Sequence, residues 1–332
     1  MEKNNNVIFF GNGLNRVSEG LDWEELLRKI SHGQILKDIP LTFQYEYICL
    51  SRDAEIFDKG PSCSIGENEL KERIANQLSN IKSNDVYEAL AKMPVSDYIT
   101  TNYDKTFENT LIAMGYAPDK SDSNESRYSI HRYNTFKKDD NIKRIWYIHG
   151  NIDIYNSIIM GYDQYCGELS KMNDWVKGSY KIAKKPIEAI HSRFSNAPGD
   201  KDIKSWIDLF FTSNIHIIGY SMPFDEIDLW WLLDKRKRLK WEGRMPHGNI
   251  TFYEGVVKSA EKEKMSDCEK CKEKEKEKEK EKEKKRKAKE KLLNVLDVRY
   301  VPEDLNDKKE YADYYKRVLT NIKIDKFIQQ KS

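Results

Sequence analysis

Short apolar segments recur along this chain, and most of them run into a turn that starts with Gly, Asn or Thr. Segments of this length, rich in Ile, Val, Phe and Tyr, predict β-strands. Between them lie helical patterns such as 22–30, where apolar residues fall on one helical face after the capping residue Asp22. The predicted strands are Val7–Phe10, Asp97–Thr101, Ile145–His149, Ile158–Met160, Ile215–Gly219, Ile250–Tyr253 and Leu296–Val301.

The alternation of strands with helices constrains the fold more than any other feature. It implies parallel pairing, with helices on both faces of the sheet. We therefore predict an α/β fold, a Rossmann-like doubly wound parallel sheet. Ligands of such sheets bind beyond the carboxyl ends of the strands, so the turns at 11–13, 101–104 and 219–221 are candidates for one shared crevice.

Two long stretches interrupt the strand pattern. Residues 31–95 are mainly helical in pattern, and 162–212 form a second interruption. We predict that both are helical insertions, which together form a small cap domain beside the crevice. The main Rossmann-type domain then comprises 1–255 and 292–332, and the intervening 256–291 forms a separate charged segment.

Charge is concentrated in that segment. Residues 261–291 hold 15 of the 57 Lys and Arg residues and 11 of the 55 Asp and Glu residues, so the rest of the chain is close to neutral. A protein that binds nucleic acid directly needs a clustered basic surface, so no such binding is expected here. The Lys/Glu run holds almost no apolar residues and cannot build a core, so it forms either a solvated helix that projects from the body or a loop.

The sequence gives no reason to expect contact with a membrane. No apolar run approaches the ~18 residues that a membrane span needs. The apolar stretch 7–10 is shorter than the ~7–15 residues of a signal-peptide core. The five cysteines are scattered along the chain, as expected of a protein that is kept reduced. A cytoplasmic location is therefore expected.

The first candidate turn is Gly11-Asn12-Gly13, directly after a predicted strand. Glycines at such a turn let backbone N–H groups approach a pyrophosphate without hindrance from a Cβ atom. The motif is incomplete, because Arg16 stands where a dinucleotide-binding pattern has its third glycine. On its own, the turn is consistent with a nucleotide site or with an ordinary tight connection between strand and helix.

The second turn carries Asn102 and Asp104. Asp104 is well placed to cap the helix that follows it. Asn102 offers both a donor and an acceptor at the end of a strand, which suits ribose hydroxyls or a positioned water.

Two further turns carry polar groups. His149 ends an apolar run and precedes Gly150, so it is either a structural histidine or a general base. Gly219 permits the close approach of a ligand, and Ser221 can bond a phosphate or a ribose. The competing interpretation of that turn is an ordinary connection to a helix that starts near Pro223.

Taken together, the four turns and their order resemble the sirtuin-like NAD-binding family in its bacterial branch, as does the stretch Ser157–Tyr165. The resemblance implies a sirtuin-like domain with NAD as its substrate. It implies that Asn102 and His149 are catalytic, with His149 as the base, and that Asp104 contacts the nicotinamide ribose. The other residues implied to bind NAD are Gly11, Asn12, Gly13 and Asn15 at the pyrophosphate, Gly219 and Ser221 at the adenosine, and Asp225, which otherwise starts its helix.

The resemblance also implies a reaction. Deacylases of the family hold a structural zinc ion with two CxxC pairs, whereas this chain has one such pair at Cys268 and Cys271, so no metal is expected. The bacterial branch instead hydrolyses NAD to nicotinamide and ADP-ribose, commonly as the toxic effector of anti-phage defence. We therefore expect a gated NAD hydrolase that acts in abortive infection by depleting NAD.

Gating implies an assembly. The chain lacks GxxxxGK[ST], so it is not itself a P-loop ATPase. We expect a homo-oligomer, with a hexameric ATPase of the DNA-translocase type as a candidate partner. The alternative function is a non-catalytic regulatory subunit that binds NAD or ADP-ribose in a complex with such an ATPase.

Overall fold

Most strands of the described chain meet in one large sheet, and helices cover both of its faces. This arrangement confirms the predicted Rossmann-like α/β fold. The computed structural model describes residues 6–18, 20–31, 35–36, 38–50, 66–119, 128–195, 203–244, 246–257 and 269–322.

Within these residues the chain forms ten strands. They are β1 (Asn6–Phe10), β2 (Asp97–Thr100), β3 (Ala117–Asp119), β4 (Tyr133–Lys138), β5 (Asn141–Tyr147), β6 (Lys181–Ile182), β7 (Lys185–Pro186), β8 (Asn214–Ile218), β9 (Ile250–Val257) and β10 (Val298–Leu305). Eight of these form the main sheet in the order β10-β9-β8-β1-β2-β5-β4-β3, and β6 pairs with β7 alone.

The run from β10 to β5 is parallel throughout, whereas β4 and β3 extend one edge in the antiparallel sense. This edge corrects the expectation of a wholly parallel sheet. Only Asp139 and Asp140 connect β4 to β5, and a link of two residues can join only antiparallel neighbours. Asp139 has a φ of 52°, as such a tight hairpin turn requires.

The helices begin where the sequence supplies a start signal, as at Asp22, whose Oδ1 accepts a hydrogen bond from Glu25 N (2.8 Å). None of the described helices is both long and apolar enough to cross a membrane. The helices are α1 (Trp23–Ile30), α2 (Leu41–Leu50), α3 (Glu67–Leu78), α4 (Asp85–Ala91), α5 (Thr106–Ala113), α6 (Tyr162–Lys177), α7 (Ile190–Arg193), α8 (Trp206–Thr212), α9 (Ile227–Trp241), α10 (Glu269–Val295) and α11 (Tyr311–Asn321).

Strand β1 is buried on both of its faces. Val7 and Phe9 pack into the cluster that α6, α8 and α9 cover, and Ile8 and Phe10 pack into the cluster of α4, α5 and α11 on the opposite face. A continuous apolar run is what a central parallel strand needs, because helices lie over both sides of it. The helical layers therefore fix β1, and with it the turn that follows, in the middle of the molecule.

A third apolar cluster lies beside the carboxyl end of the sheet. It joins α1, α2 and α3 to the segment after β5, through residues such as Leu27, Tyr45, Ile74 and Ile158. Of these helices, α2 and α3 come from the first interrupting stretch, whereas α1 directly precedes it, and all three flank the end of the sheet where the polar turns lie. In the second interrupting stretch, α6 instead packs Trp175 into the cluster on the sheet face.

The expected strand Ile158–Met160 is wrong. Its residues lie outside the sheet in the described structure, although Ile159 N donates to His149 O (2.9 Å). Ile158 and Met160 are buried in the third cluster, so burial by helices accounts for their apolar character. A short apolar run cannot by itself distinguish these two environments.

The charged run forms α10, and its last turns are docked on the body. Leu293 is fully buried in the core. Lys289 Nζ donates to Glu254 Oε1 (2.6 Å) and to Ser221 O (3.1 Å). The helix therefore reaches the body next to the turn that follows β8.

Candidate active site

A cleft of about 710 Å³ opens at the carboxyl ends of β1, β8 and β9. Its volume lies within the range of ligand and cofactor pockets. Five of the residues singled out in the sequence line it: Asn12, Gly13, Gly219, Ser221 and Asp225. The others lie buried beneath its surface: Gly11, Asn15, Asn102, Asp104 and His149.

The two glycine turns pack against each other. Gly13 N donates to Gly219 O (2.7 Å), and a Cβ atom on Gly13 would lie 2.6 Å from that oxygen. Gly219 has a φ of 61°, and a Cβ atom there would overlap the side chain of Leu14. The glycines are therefore required by the close approach of the turns. Their contact with a pyrophosphate stays a prediction.

Side-chain amides link the first turn to the second. Asn15 Nδ2 donates to Asp104 Oδ2 (2.8 Å) and to Asn12 Oδ1 (3.1 Å). Tyr87 OH donates to Asn15 Oδ1 (2.7 Å), and Asn102 Nδ2 donates to Tyr87 OH (3.3 Å). The structure thus joins four of the predicted residues, Asn12, Asn15, Asn102 and Asp104, through Tyr87. We call these five residues the amide network.

Asp104 caps the helix that follows it, as predicted, and it also bonds the first turn; its contact with the nicotinamide ribose stays a prediction. Its Oδ1 accepts a hydrogen bond from Thr106 N (2.9 Å) at the start of α5, and its Oδ2 accepts from Asn15. Capping the helix fixes the carboxylate, which in turn fixes the Asn15 amide. The residue is 5% exposed, so it acts on the cleft through its neighbours.

Asn102 has an unsatisfied acceptor. Its backbone N donates to Thr100 Oγ1 (3.0 Å), but its buried Oδ1 has no hydrogen-bond partner among the described residues. Thr101 and Tyr103, on either side of it, line the cleft. A buried acceptor without a partner costs free energy, and a ligand hydroxyl placed there would remove that cost.

His149 lies in a cluster of acidic side chains. Its Nε2 donates to Asp228 Oδ2 (2.9 Å) and lies 3.7 Å from Glu226 Oε2. Tyr165 packs its ring edge-on against the imidazole and donates from its hydroxyl to Glu226 Oε2 (2.9 Å). His149 and Asp228 are at most 2% exposed, whereas Tyr165 and Glu226 line the cleft. We call His149, Glu226 and Asp228 the histidine cluster.

Charge within the cluster shifts its ionisation. Burial lowers the pKa of His149, but the carboxylates of Asp228 and Glu226 outweigh burial and raise it to about 9. Burial raises the pKa of Glu226 to about 7, against the opposing charge of His149. Burial likewise raises the pKa of Glu168, a further acid near the cluster, to about 8. His149 is therefore protonated at neutral pH, whereas a general base has to be deprotonated before it can accept a proton.

Three predicted residues reach the cleft from the turn after β8: Gly219, Ser221 and Asp225. Ser221 is exposed, and its carbonyl accepts the hydrogen bond from Lys289. Asp225 is half-buried, and α9 starts at Ile227 with no side-chain cap, so the side chain of Asp225 does not start the helix. Next to this turn, Glu254 lines the cleft at the carboxyl end of β9 and bonds both Lys289 and Tyr300.

Sequence reasoning missed several of these residues. The run of acids in F-D-E-I-D, directly after the turn at 219–221, was the available signal for Glu226 and Asp228. Tyr87 and Glu168 lie within helical patterns and carry no local signal. Glu254 follows a predicted strand, as the polar residues of the other turns do, and that rule could have found it.

Three side chains of the histidine cluster each offer one atom that could ligate a metal ion, and these atoms lie within 4.8 Å of one another in the described structure. His149 Nε2 and Asp228 Oδ2 already share a hydrogen bond. Their separation of 2.9 Å is explained by a proton between them. The Cys268 and Cys271 side chains lie outside the described part of the chain.

Comparison with known proteins places this site in a family. The sequence profile of the SIR2-like domain matches residues 96–264, which is half of the chain and includes Asn102, His149 and Ser221. The glycine turn at 11–13 precedes the matched segment.

Two curated relatives are similar to the chain. The NAD(+) hydrolase ThsA of Acinetobacter baumannii (strain 532279) is 28% identical over 169 residues, which are 50% of this chain and 31% of that protein. The NAD(+) hydrolase ThsA of Cytobacillus dafuensis is 25% identical over 166 residues, which are 50% of this chain and 30% of that protein. The matched region thus spans about a third of the length of these relatives. With a matching profile over half of its length and the predicted parallel sheet, the chain belongs to the SIR2-like domain family.

Proposed function

We propose that this protein is an NAD hydrolase, which cleaves the bond between nicotinamide and ribose to give nicotinamide and ADP-ribose. One observation carries the proposal: Asn102 and His149 lie buried directly behind residues that line the same cleft. The names of the two similar proteins, NAD(+) hydrolase ThsA, support it. The substrate is then NAD, and none of the proposed steps requires a metal ion.

The proposed chemistry follows from the leaving group. Nicotinamide leaves from the anomeric carbon of ribose, which develops oxocarbenium character as in glycoside hydrolysis. Asn102 Oδ1 would accept a hydrogen bond from a ribose hydroxyl or from the attacking water. The histidine cluster would supply fixed charges beside the developing cation, where little water competes with them.

The other predicted residues would bind the rest of NAD. Asn12 and Gly13 line the cleft at the turn after β1, where the pyrophosphate would lie. Gly219, Ser221 and Asp225 line it at the turn after β8, where the adenosine would lie. Gly11, Asn15 and Asp104 would act indirectly, because each is buried behind the wall.

NAD consumption by the purified chain tests the proposal, with chromatography of the products. We expect nicotinamide and ADP-ribose from wild type, and a loss of at least about 100-fold in rate for Asn102→Ala and for His149→Ala. His247→Ala is the matched control, because His247 is a half-buried histidine bonded to Phe194 O (3.2 Å) away from the cleft. Because the activity is proposed below to be gated, the assay is repeated with lysate of phage-infected cells, and wild-type protein that releases no nicotinamide under either condition would contradict the proposal.

One observation favours the alternative, a regulatory subunit that binds NAD or ADP-ribose without cleaving it. His149 and Asn102 are each only 2% exposed, and the imidazole is held by Asp228. Calorimetric titration separates the two functions. Binding of NAD without release of nicotinamide is expected of the regulatory subunit, and binding followed by release is expected of the hydrolase.

We further propose that the hydrolase is a gated, cytoplasmic effector of anti-phage defence that acts by abortive infection. The same burial of Asn102 and His149 supports gating, since an unrestrained NAD hydrolase would deplete its host. The test is the NAD content of phage-infected cells that carry wild type or His149→Ala. Depletion that follows infection, and only with wild type, is the expected result.

Gating by assembly is the simplest arrangement for a chain of this kind. We propose a homo-oligomer, with a hexameric ATPase of the DNA-translocase type as a candidate partner and without direct binding to nucleic acid. Trp241, at the end of α9, is 86% exposed and could anchor such a contact. Light scattering of wild type and Trp241→Ser tests it, with a smaller assembly expected for the variant.

A further inference from the structure

The histidine cluster divides into a buried part and a part that faces the cleft. His149 and Asp228 lie behind the wall, and the side chain of Asp228 is inaccessible to solvent. The side chain of Glu226 is 14% exposed and lines the cleft. Among the acidic and basic groups of this cluster, Glu226 is thus the one that a bound substrate would meet.

The position of Glu226 is fixed from two sides. Tyr165 OH donates to Glu226 Oε2 at 2.9 Å, and His149 Nε2 lies 3.7 Å from the same oxygen. Because Tyr165 also packs against the imidazole, one side chain orients both groups. A carboxylate held in this way needs little reorganisation when charge develops beside it.

The neighbours of Glu226 keep it able to exchange a proton near neutral pH. Burial raises its pKa to about 7, and the positive charge of His149 opposes a larger rise. A base is most effective when its pKa lies near the working pH. The groups that interact with it are His149 after β5, Tyr103 after β2, Tyr165 and Glu168 on α6, Tyr220 and Asp225 after β8, and Asp228 on α9.

We propose that Glu226 is the catalytic base of the hydrolysis and that His149 and Asp228 are positioning residues. The positive charge of His149 lies behind the Glu226 carboxylate, and Asp228 holds the His149 imidazole in place. This inference rests on the proposed function. Water attacks the anomeric carbon of the nicotinamide ribose and loses its proton to Glu226. The bond to nicotinamide breaks, with its electron pair leaving on the nicotinamide nitrogen. The proton on Glu226 then passes to solvent through the cleft, which leaves nicotinamide and ADP-ribose.

The test compares Glu226→Gln with wild type in NAD hydrolysis across pH 5.5 to 9. Loss of the base should lower kcat by roughly 100-fold or more, with a KM for NAD within about threefold of wild type. The acidic limb of the wild-type pH profile should be absent from the residual activity. Glu108→Gln is the matched control, because Glu108 is also buried and accepts a hydrogen bond from a tyrosine, Tyr147 (2.7 Å), away from the cleft.

A second measurement does not depend on cleavage. NMR titration of ¹³C-labelled histidine rings, assigned with His149→Ala, should show the pKa of His149 lowered by Glu226→Gln and by Asp228→Asn, but not by Glu108→Gln. If the pKa of His149 is the same in Glu226→Gln as in wild type, the inferred interaction between the two charges is overturned.

The outcomes separate this inference from the proposed function. Wild-type cleavage with Glu226→Gln within fivefold of it overturns the base role alone and leaves the hydrolase standing. Wild-type protein without cleavage, both alone and with lysate of phage-infected cells, overturns the hydrolase and the base role together. The histidine titration still decides whether the charge of Glu226 shifts the pKa of His149.

Discussion

At the scale of single residues, the amide network holds predicted site residues that are far apart in sequence at one place. Asn15 lies 89 residues from Asp104, and their side chains bond at 2.8 Å. Tyr87 completes the link, because its hydroxyl bonds the amides of both Asn15 and Asn102. Buried polar networks of this kind are stabilising only when their members are satisfied. Asn102 Oδ1 is the exception, and it belongs to the residue with the predicted catalytic role.

Replacing Tyr87 by Phe tests the network. The change leaves Asn15 Oδ1 without its donor and Asn102 Nδ2 without its acceptor, so we expect unfolding to become easier by about 1–2 kcal/mol. Loss of orientation at Asn102 should slow NAD cleavage roughly tenfold. Tyr98→Phe is the control, since the Tyr98 hydroxyl donates to Leu90 O (3.1 Å) and has no contact with the amides. Equal rates in the two variants would show that Tyr87 has no role beyond stability.

At the scale of elements, the charged helix α10 is tied to the edge of the cleft. Lys289 bridges Ser221 O and Glu254 Oε1, and its ammonium lies 5.2 Å from the centre of the Phe252 ring. Most of the charges of the helix are solvent-exposed where they are described, but the side chain of Lys289 is only 11% exposed. A helix without an apolar stripe is thus held by a few contacts at its carboxyl end, among them buried Leu293.

Removing the Lys289 charge should weaken nucleotide binding. In Lys289→Met, Glu254 loses a partner at the cleft, so its negative charge would repel the phosphates of a bound nucleotide with less compensation. We expect the Kd of ADP-ribose, measured by calorimetry, to rise about tenfold, which corresponds to about 1.4 kcal/mol. Lys285→Met is the control on the same helix, where the lysine pairs with Glu281 in solvent. A shift of equal size in both variants would point to the net charge of the helix instead.

At the scale of the whole molecule, the buried charges connect stability to pH. The carboxylates of Asp228 and Glu226 raise the pKa of His149 to about 9, although burial alone would lower it. Burial raises the pKa of Glu168 to about 8. The folded state therefore binds more protons than the unfolded state between pH 6.5 and 8, and stability falls as pH rises through this range. Burial lowers the pKa of His216 to about 4 and of Lys143 to about 8, so these groups act in the opposite sense outside this range.

Urea denaturation at pH 6.5, 7, 7.5 and 8 checks this prediction. We expect the free energy of unfolding to fall by about 3 kcal/mol over the range. Asp228→Asn should make the decline shallower, because it removes the carboxylate that contributes most to raising the pKa of His149. His247→Ala should keep the wild-type slope. Stability that is constant or rising with pH in wild type would contradict the assigned charges.

The local sequence predicted the parallel strands of the sheet and the turns that follow them, because apolar periodicity and turn residues act within a few positions of one another. Local patterns of this kind predict the strand Val7–Phe10 and the helix after Asp22, and the structure contains both. The antiparallel edge at β4 was not anticipated, although the hairpin link at Asp139 is short. Ile158 is buried under helices and not in the sheet, because α1, α2 and α3, which come from an earlier part of the chain, pack against it.

The sequence alone also indicated the ends of the strands as the site, since parallel topology gathers those turns at one edge. Only the tertiary structure decided which side chains face the cleft. Glu226 and Asp228 are two residues apart, yet one lines the cleft and the other is sealed behind it with His149. The physical reason is that burial and charge depend on neighbours brought from distant segments: Asp228 lies 79 residues from His149 and sets its ionisation.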